Sequence, residues 1–313
     1  MLLGWLLPLP AQQPPTASPR ATVVAGTGEP PAQAVATIDQ LVAAELPSLL
    51  RIFSAAQVDR PFFVHVHESR AALPAALAAH LDPDSPAFAV LGAHQIHIVW
   101  GEVVRMGASP RGVVRHELVH ELLDQYAAPH GRQLPRWFHE GLAQHLAGDT
   151  YLRASEDDLV WGMGLRRLEP FGALRSRFPT EPSALRSAYA QSFSYVSWLA
   201  REYGVAELLA IVRAVGPYTT FEAALVGRTG RSTLQLEDAW RHHVLHGSGA
   251  PWRVLLDQCF SYCLIALLPV LVVALIRRLR AEGRAAGELA RREAAAAAAE
   301  PAPPPAEVPQ DRR

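Results

Sequence analysis

From Cys259 to Ile276 the chain runs for 18 consecutive residues without a charge, among them Leu264, Ile265, Leu267, Leu268, Val270, Leu271, Val272, Val273 and Leu275. Coiled as an α-helix, the run covers about 27 Å, the thickness of a bilayer's hydrocarbon core. Pro269 within it is tolerable in a membrane helix and awkward in a soluble one. A buried core helix is the competing reading, and the run is long for one. Arg277, Arg278, Arg280, Arg284, Arg291 and Arg292 follow, whereas only Arg241 and Arg253 flank the other side. This asymmetry predicts a transmembrane helix over 255–276 with a cytoplasmic C-terminus. The chain is then a single-pass protein of the cell membrane, with everything before about residue 254 extracytoplasmic.

Composition narrows the rest. The chain has 313 residues, half of them hydrophobic, enough for one large or two small domains. Its 29 basic residues, all Arg, stand against 30 acidic ones, a net charge of −1 that argues against a nucleic-acid partner. There is no Asn and hence no N-glycosylation sequon. The two cysteines, Cys259 and Cys263, both lie in the apolar run, which excludes a disulfide-stapled scaffold and a four-cysteine zinc module. Residues 1–34 read as a signal peptide and a disordered linker. The apolar stretch Met1–Pro10 is too short to span a membrane, although it lacks a basic start and Ala11 is a weak cleavage site. Residues 12–34 are rich in Pro, Gln, Thr and Ala. Residues 277–313, basic and then rich in Ala and Pro, are expected to be a disordered cytoplasmic tail.

Between them, 35–247 reads as one globular domain. Ile38, Leu41, Val42, Leu46, Leu49 and Leu50 recur at helical spacing. Phe62–His67 predicts a strand, 69–80 a helix weakened by Pro74, and 88–91 and 95–100 two strands around a turn at Gly92. Helical patterns then dominate from Pro110 to His246. Strands first and helices afterwards predict an α+β fold.

Within the first long helix lies His116-Glu117-Leu118-Val119-His120, an H-E-x-x-H. Residues four apart on a helix point nearly the same way, so both imidazoles can reach one Zn²⁺ at about 2.0–2.1 Å. Glu117 sits slightly around the helix, where it can hold a water instead of the metal. Ser109 and Pro110 make a good helix start. The pentapeptide alone is only moderately specific, and a salt-bridged helix is its bland alternative. A second helix beginning at Pro135 carries Glu140 one turn in, with 19 residues between His120 and Glu140.

These two segments resemble the gluzincin metallopeptidases, which take two His from H-E-x-x-H and a Glu from the following helix. Trp137-x-x-Glu140-Gly141-x-Ala143 is similar to the second motif of the peptidase MA-like group. Ala188-Tyr189-x-x-Ser192 is similar to a later helix of that group, and 221–225 and 236–240 to its closing helices. The resemblance covers about 35–247 and is strongest over 110–205. It implies a zincin-like domain with a small N-terminal sheet, an active-site helix and a helical C-terminal part. It further implies His116, His120 and Glu140 as zinc ligands and Glu117 as general base. The implied activity is hydrolysis of peptide bonds in a polypeptide substrate through a zinc-activated water. Tyr189 is the best candidate for a transition-state hydrogen-bond donor, with a buried structural tyrosine as the competing reading. One departure stands out: where thermolysin-type members carry an Asp one turn after the ligand Glu, this chain has Gln144, which can accept the same hydrogen bond without the charge.

The other histidines are weaker candidates. His65 and His67 share a strand face but have no third ligand at a useful spacing, while His97 is a candidate to line the substrate cleft. His139, His145, His242 and His243 are expected to be exposed. Asp124, one turn beyond His120, is either a group supporting the ligands or a solvated acid. The principal alternative to an enzyme is a membrane-tethered binding module that keeps the fold with weak or no catalysis. A protease with its motif inside the bilayer is disfavoured by Arg111, Arg115, Glu121 and Asp124 around that motif.

Overall fold

The computed structural model describes residues 21–78, 85–148, 159, 168–246 and 250–299. It separates into two units, the first ending at Ala250 and the second running from Pro251. The signal-peptide reading of 1–20 lies outside the described residues.

The first unit opens with β1 (Ala21–Ala25), crosses over through α1 (Ala32–Phe53) and returns as β2 (Phe62–His67). β1 and β2 pair in parallel, Ala21 opposite Phe62 and Ala25 opposite Val66, as a helical crossover permits. Here the expectation of a disordered 12–34 is corrected for residues 21–34. Five residues with Thr22, Val23 and Val24 at their centre find a ready-made edge in β2, a contact 40 residues distant that local composition cannot reveal. The helix expected over 69–80 is likewise corrected. It becomes a 3₁₀ turn at Arg70–Ala72 and, after Pro74, the short α2 (Ala75–Ala78). Pro74 has no amide hydrogen and its ring clashes with the preceding turn, so the helix breaks there.

β3 (Ala87–Val90) and β4 (Gln95–Val99) form the expected hairpin around Gly92, whose φ of 80° suits a residue without a Cβ. Among the described residues the sheet order is β1-β2-β4-β3, with β3 antiparallel and at the edge. Helices follow: α3 (Trp100–Arg105), α4 (Pro110–Ala127), α5 (Arg136–Ala147), α6 (Pro182–Tyr203), α7 (Val205–Ala214), α8 (Phe221–Thr229) and α9 (Thr233–His246). This is the α+β arrangement anticipated from the sequence, a small N-terminal sheet with helices after it.

The core sits where α1, one face of the sheet and α4 meet. Ile38, Val42, Leu46, Leu49 and Phe53 of α1 are buried at spacings of three and four, against Val64, Val66, Ile96 and Ile98 of the strands and Leu118 and Leu122 of α4. A second layer is aromatic: Trp137 of α5 packs against Phe171, Tyr195 and Phe221 with ring centroids 5.0, 5.2 and 5.6 Å away. Trp240 of α9 joins this group and donates its indole N–H to Ser194 Oγ at 3.1 Å.

The second unit is dominated by α10, a helix of 50 residues over Ala250–Ala299. Its segment Tyr262–Glu288 is long and apolar enough to cross a membrane, and Leu264, Ile265, Leu268, Leu271 and Leu275 are exposed on it. The tail is helical as far as Ala299, so disorder from 277 is corrected for that stretch. Its Ala, Arg and Glu content has high helix propensity.

Candidate metal centre

α4 begins at Ser109, whose hydroxyl accepts the Gly112 N–H at 3.2 Å, with Pro110 in the first turn. Its orientation is locked by charge. Glu45 of α1 is almost wholly buried and accepts from Arg111 Nε at 2.5 Å and from Arg115 at 2.6 Å. Arg115 also donates to Ser48 Oγ at 2.7 Å and, through Nε, to the Leu146 carbonyl at the end of α5 at 2.6 Å. Burial alone would raise the Glu45 carboxyl, but Arg111 and Arg115 outweigh it and hold it below the usual carboxylate range. One guanidinium thus fixes α1, α4 and α5 together, one residue before His116.

α5 starts after Pro135 and stops at Gly148 in the left-handed conformation. It crosses α6 very closely at Gly141. A Cβ there would lie 2.3 Å from the Ser192 carbonyl oxygen and 2.6 Å from Val196 Cγ2. Ala188 and Ser192 on the facing side are small and buried, and the Ser192 hydroxyl folds back onto the Ala188 carbonyl at 2.7 Å. The Glu140-Gly141-x-Ala143 and Ala188-Tyr189-x-x-Ser192 segments are therefore two sides of one helix crossing, which sets the depth of Glu140.

That depth brings three side chains to a point. His116 Nε2 and His120 Nε2 are 3.1 Å apart, and each lies 3.6 Å from Glu140 Oε2. An ion with four tetrahedral ligands at about 2.0–2.1 Å has ligand atoms about 3.3 Å from one another, so this triangle has the size of one zinc-binding face. Among the described residues it is the group of His, Cys, Asp and Glu with metal-site dimensions. The donor set, two imidazoles and a carboxylate, suits zinc. Arg136, one turn before Glu140, approaches its other oxygen at 3.6 Å and lies over the Phe178 ring. Burial would raise the Glu140 carboxyl, yet the facing imidazoles of His116 and His120 hold it well below the usual range. His120 responds in kind: burial would lower its pKa, and Glu140 raises it.

Glu117 is the fourth component. It is buried, and its Oε2 has no hydrogen-bond partner among the described residues. Burial raises its pKa, against opposing pulls from His116 and His120, and the Ala89 amide of β3 bonds to the carboxyl. An orphaned carboxylate oxygen beside two imidazoles is costly unless a polar ligand or a water completes it. The four residues form the floor of a cleft of about 1140 Å³, walled by β3, the 131–134 segment and α5. Tyr189 lines the same cleft, 3 % exposed, with its ring edge-on to Phe178. Gln144 is fully buried, and its amide nitrogen faces the Glu140 and Tyr189 carbonyls at 3.3 Å each.

Several secondary candidates resolve differently. His97 does not line the cleft. It lies on the opposite face of the sheet, stacked between His65 and Phe88, with Nδ1 2.9 Å from His67 Nε2. His67 Nδ1 in turn accepts the Thr27 N–H at 2.9 Å. Asp124 is buried and accepts the Gly92 N–H at 2.7 Å, so it anchors the hairpin. His139, expected to be exposed, is buried beside His120 with ring centroids 5.7 Å apart, and burial lowers its pKa to about 4. His145 is half-buried and bonds to Ser197 Oγ at 3.0 Å, while His242 is exposed as expected. Sequence reading also passed over Arg136, although its place four residues before Glu140 puts it on the same helix face.

No curated protein and no solved structure matches the chain. A family model does, over residues 50–246, which is more than half of the chain and contains every residue of the cluster. The chain belongs to the peptidase MA superfamily.

Proposed function

We propose that this protein is a membrane-anchored zinc metallopeptidase that hydrolyses peptide bonds in polypeptides. The observation that carries the reading is the convergence of His116, His120 and Glu140 beside the unpartnered oxygen of Glu117, at the floor of a large cleft. His116, His120 and Glu140 would hold the ion. Zinc supplies Lewis acidity there, polarising a carbonyl and making water acidic near neutral pH.

The chain's own residues do the rest. Glu117 is placed to take a proton from the attacking water and return it to the leaving amine. Its burial favours this double role, because a raised pKa makes the carboxyl a better proton acceptor. Arg136 balances the second oxygen of Glu140 and orients that carboxylate. Gln144 ties Glu140 to the α6 segment carrying Tyr189. Tyr189 is the candidate donor to the developing oxyanion.

The domain runs in this reading from residue 21, where β1 begins, to about 247. Residues 255–276 anchor it, with the peptidase domain extracytoplasmic and the arginines from Arg277 onward cytoplasmic. The test is Glu117→Gln in the full chain. Zinc content should stay at the wild-type level while cleavage of an unfolded protein substrate falls at least about a hundredfold. Full activity in that variant would contradict the proposal.

A further inference from the structure

Among the described residues, the charges along the cleft are not balanced. Its described walls carry two carboxylates, Glu117 and Glu140, both belonging to the cluster, and three guanidiniums, Arg132, Arg136 and Arg175. Arg136 faces Glu140, and Arg175 pairs with Glu222. Arg132 is exposed and has no ion pair among the described residues. Its guanidinium sits over the Gly92 turn, within 3.5 Å of the place a Cβ would occupy there. A second recess of about 280 Å³ adjoins the cleft at Gly131 and Arg132, and Arg60 lines it. The recess holds one acid among its described residues, Asp124, which accepts the Gly92 N–H, against the two guanidiniums of Arg60 and Arg132, and Arg60 too is exposed without an ion pair among the described residues.

Position gives this surplus a meaning. Among the described residues β3 pairs with β4 on one side only, and its residues Ala87, Phe88 and Ala89 line the cleft. An extended peptide can add to such an edge. Ala89 touches Glu117, which marks the reacting centre, and Gly92 lies three residues further along. At about 3.3 Å per residue, a strand beside β3 needs about three residues to travel from Glu117 to Arg132.

We infer that the cleft selects polypeptides with an acidic side chain about three residues from the bond to be cut, on the side of the β3–β4 turn, where Arg132 receives it and Arg60 extends the same field. The inference rests on the peptidase reading for the location of the cut bond. Recognition of the acidic group itself does not need turnover.

The experiment uses the full zinc-loaded chain in detergent and a set of quenched fluorescent decapeptides. One Asp is moved position by position through an uncharged sequence, and Asn at the same place serves as control. For Asp about three residues to one side of the cut, kcat/KM should exceed the Asn control about tenfold at low salt. The advantage should vanish in Arg132→Ala and reverse in Arg132→Glu, and it should shrink as ionic strength rises. In parallel, fluorescence anisotropy measures binding of labelled Asp and Asn peptides to the Glu117→Gln protein. Cleavage without any Asp preference would overturn this inference and leave the peptidase reading standing. Arg132-dependent Asp preference in binding, with no peptide cleaved by the wild type, would uphold the inference and sink the peptidase reading. Equal binding of Asp and Asn peptides, in the absence of cleavage, would overturn both.

Discussion

Replacing Gly141 by Ala sets two physical effects against each other. By helix propensity alone the change should stabilise α5, by about 1 kcal/mol. The crossing with α6 says the reverse. The added Cβ would stand 2.3 Å from the Ser192 carbonyl oxygen, and ordinary contact begins at 3.4 Å, so the backbones must part by about 1.1 Å. The obstructing atom is backbone, which cannot swing aside. Overpacking of this kind costs typically 1–3 kcal/mol, and this overlap is severe enough to place the cost at the upper end of that range. The net expectation is a destabilisation of about 1–2 kcal/mol, a fall in Tm of roughly 2–8 °C for a domain of this size. The effect reaches the cluster as well. Glu140 precedes Gly141, and a shift of about 1 Å withdraws its carboxylate from the His116–His120 pair by half of a metal–ligand bond length. Thermal unfolding and zinc titration of the variant read both consequences. A Gly141→Ala protein as stable as the wild type, with unchanged zinc affinity, would refute the close crossing as the device that sets Glu140.

Other expectations follow from the same packing. Arg115→Ala removes the more buried of the two partners of Glu45 and frees the end of α5, so urea denaturation should show a loss of about 3 kcal/mol, whereas Arg111→Ala, with its side chain 69 % exposed, should cost much less. Burial, reinforced by His65, lowers the pKa of His67 below its ordinary 6.5. A base with a depressed folded-state pKa contributes its stability above the unfolded value and loses it as pH falls from about 6.5 through the folded value. Acidification across that window should therefore loosen β1, seen as faster hydrogen exchange over residues 21–27. His67→Asn, which can still accept the Thr27 N–H, should flatten the response, and an unchanged pH dependence in that variant would assign it elsewhere. Truncation after residue 249 should release the protein from the membrane fraction, and a truncated chain that stays there would count against α10 as the anchor.

The parts of the site legible in the sequence are those written in local spacing. His116 and His120 are four apart behind a Ser-Pro helix start, and Glu140 follows a second Pro start, so each helix declares its own members of the cluster. Their convergence is a property of the α4–α5–α6 packing, and the sequence marks it only through Gly141, Ala188 and Ser192, small residues whose reason appears once the helices cross. β1 escaped because its stability lies in pairing with a strand 40 residues away, and a five-residue segment between Pro-rich stretches has no signal of its own. Period-two alternation places Ile96 and His97 on opposite faces of β4. It could not say which side looks toward α4, and His97 turned out to lie on the other one. His139 illustrates the same limit on a helix. Its neighbour Glu140 faces the cluster, yet His139 is itself buried beside His120 and the Gly131 backbone, which no periodicity predicts.

The central claim is that two imidazoles of α4 and one carboxylate of α5 hold a single zinc ion. Metal analysis of the purified full chain, wild type beside His116→Ala, His120→Ala and Glu140→Ala, tests it most directly. The account predicts one zinc per wild-type chain and loss of most of it in each variant, with folding checked by circular dichroism. Equal zinc in the wild type and the three folded variants would contradict it.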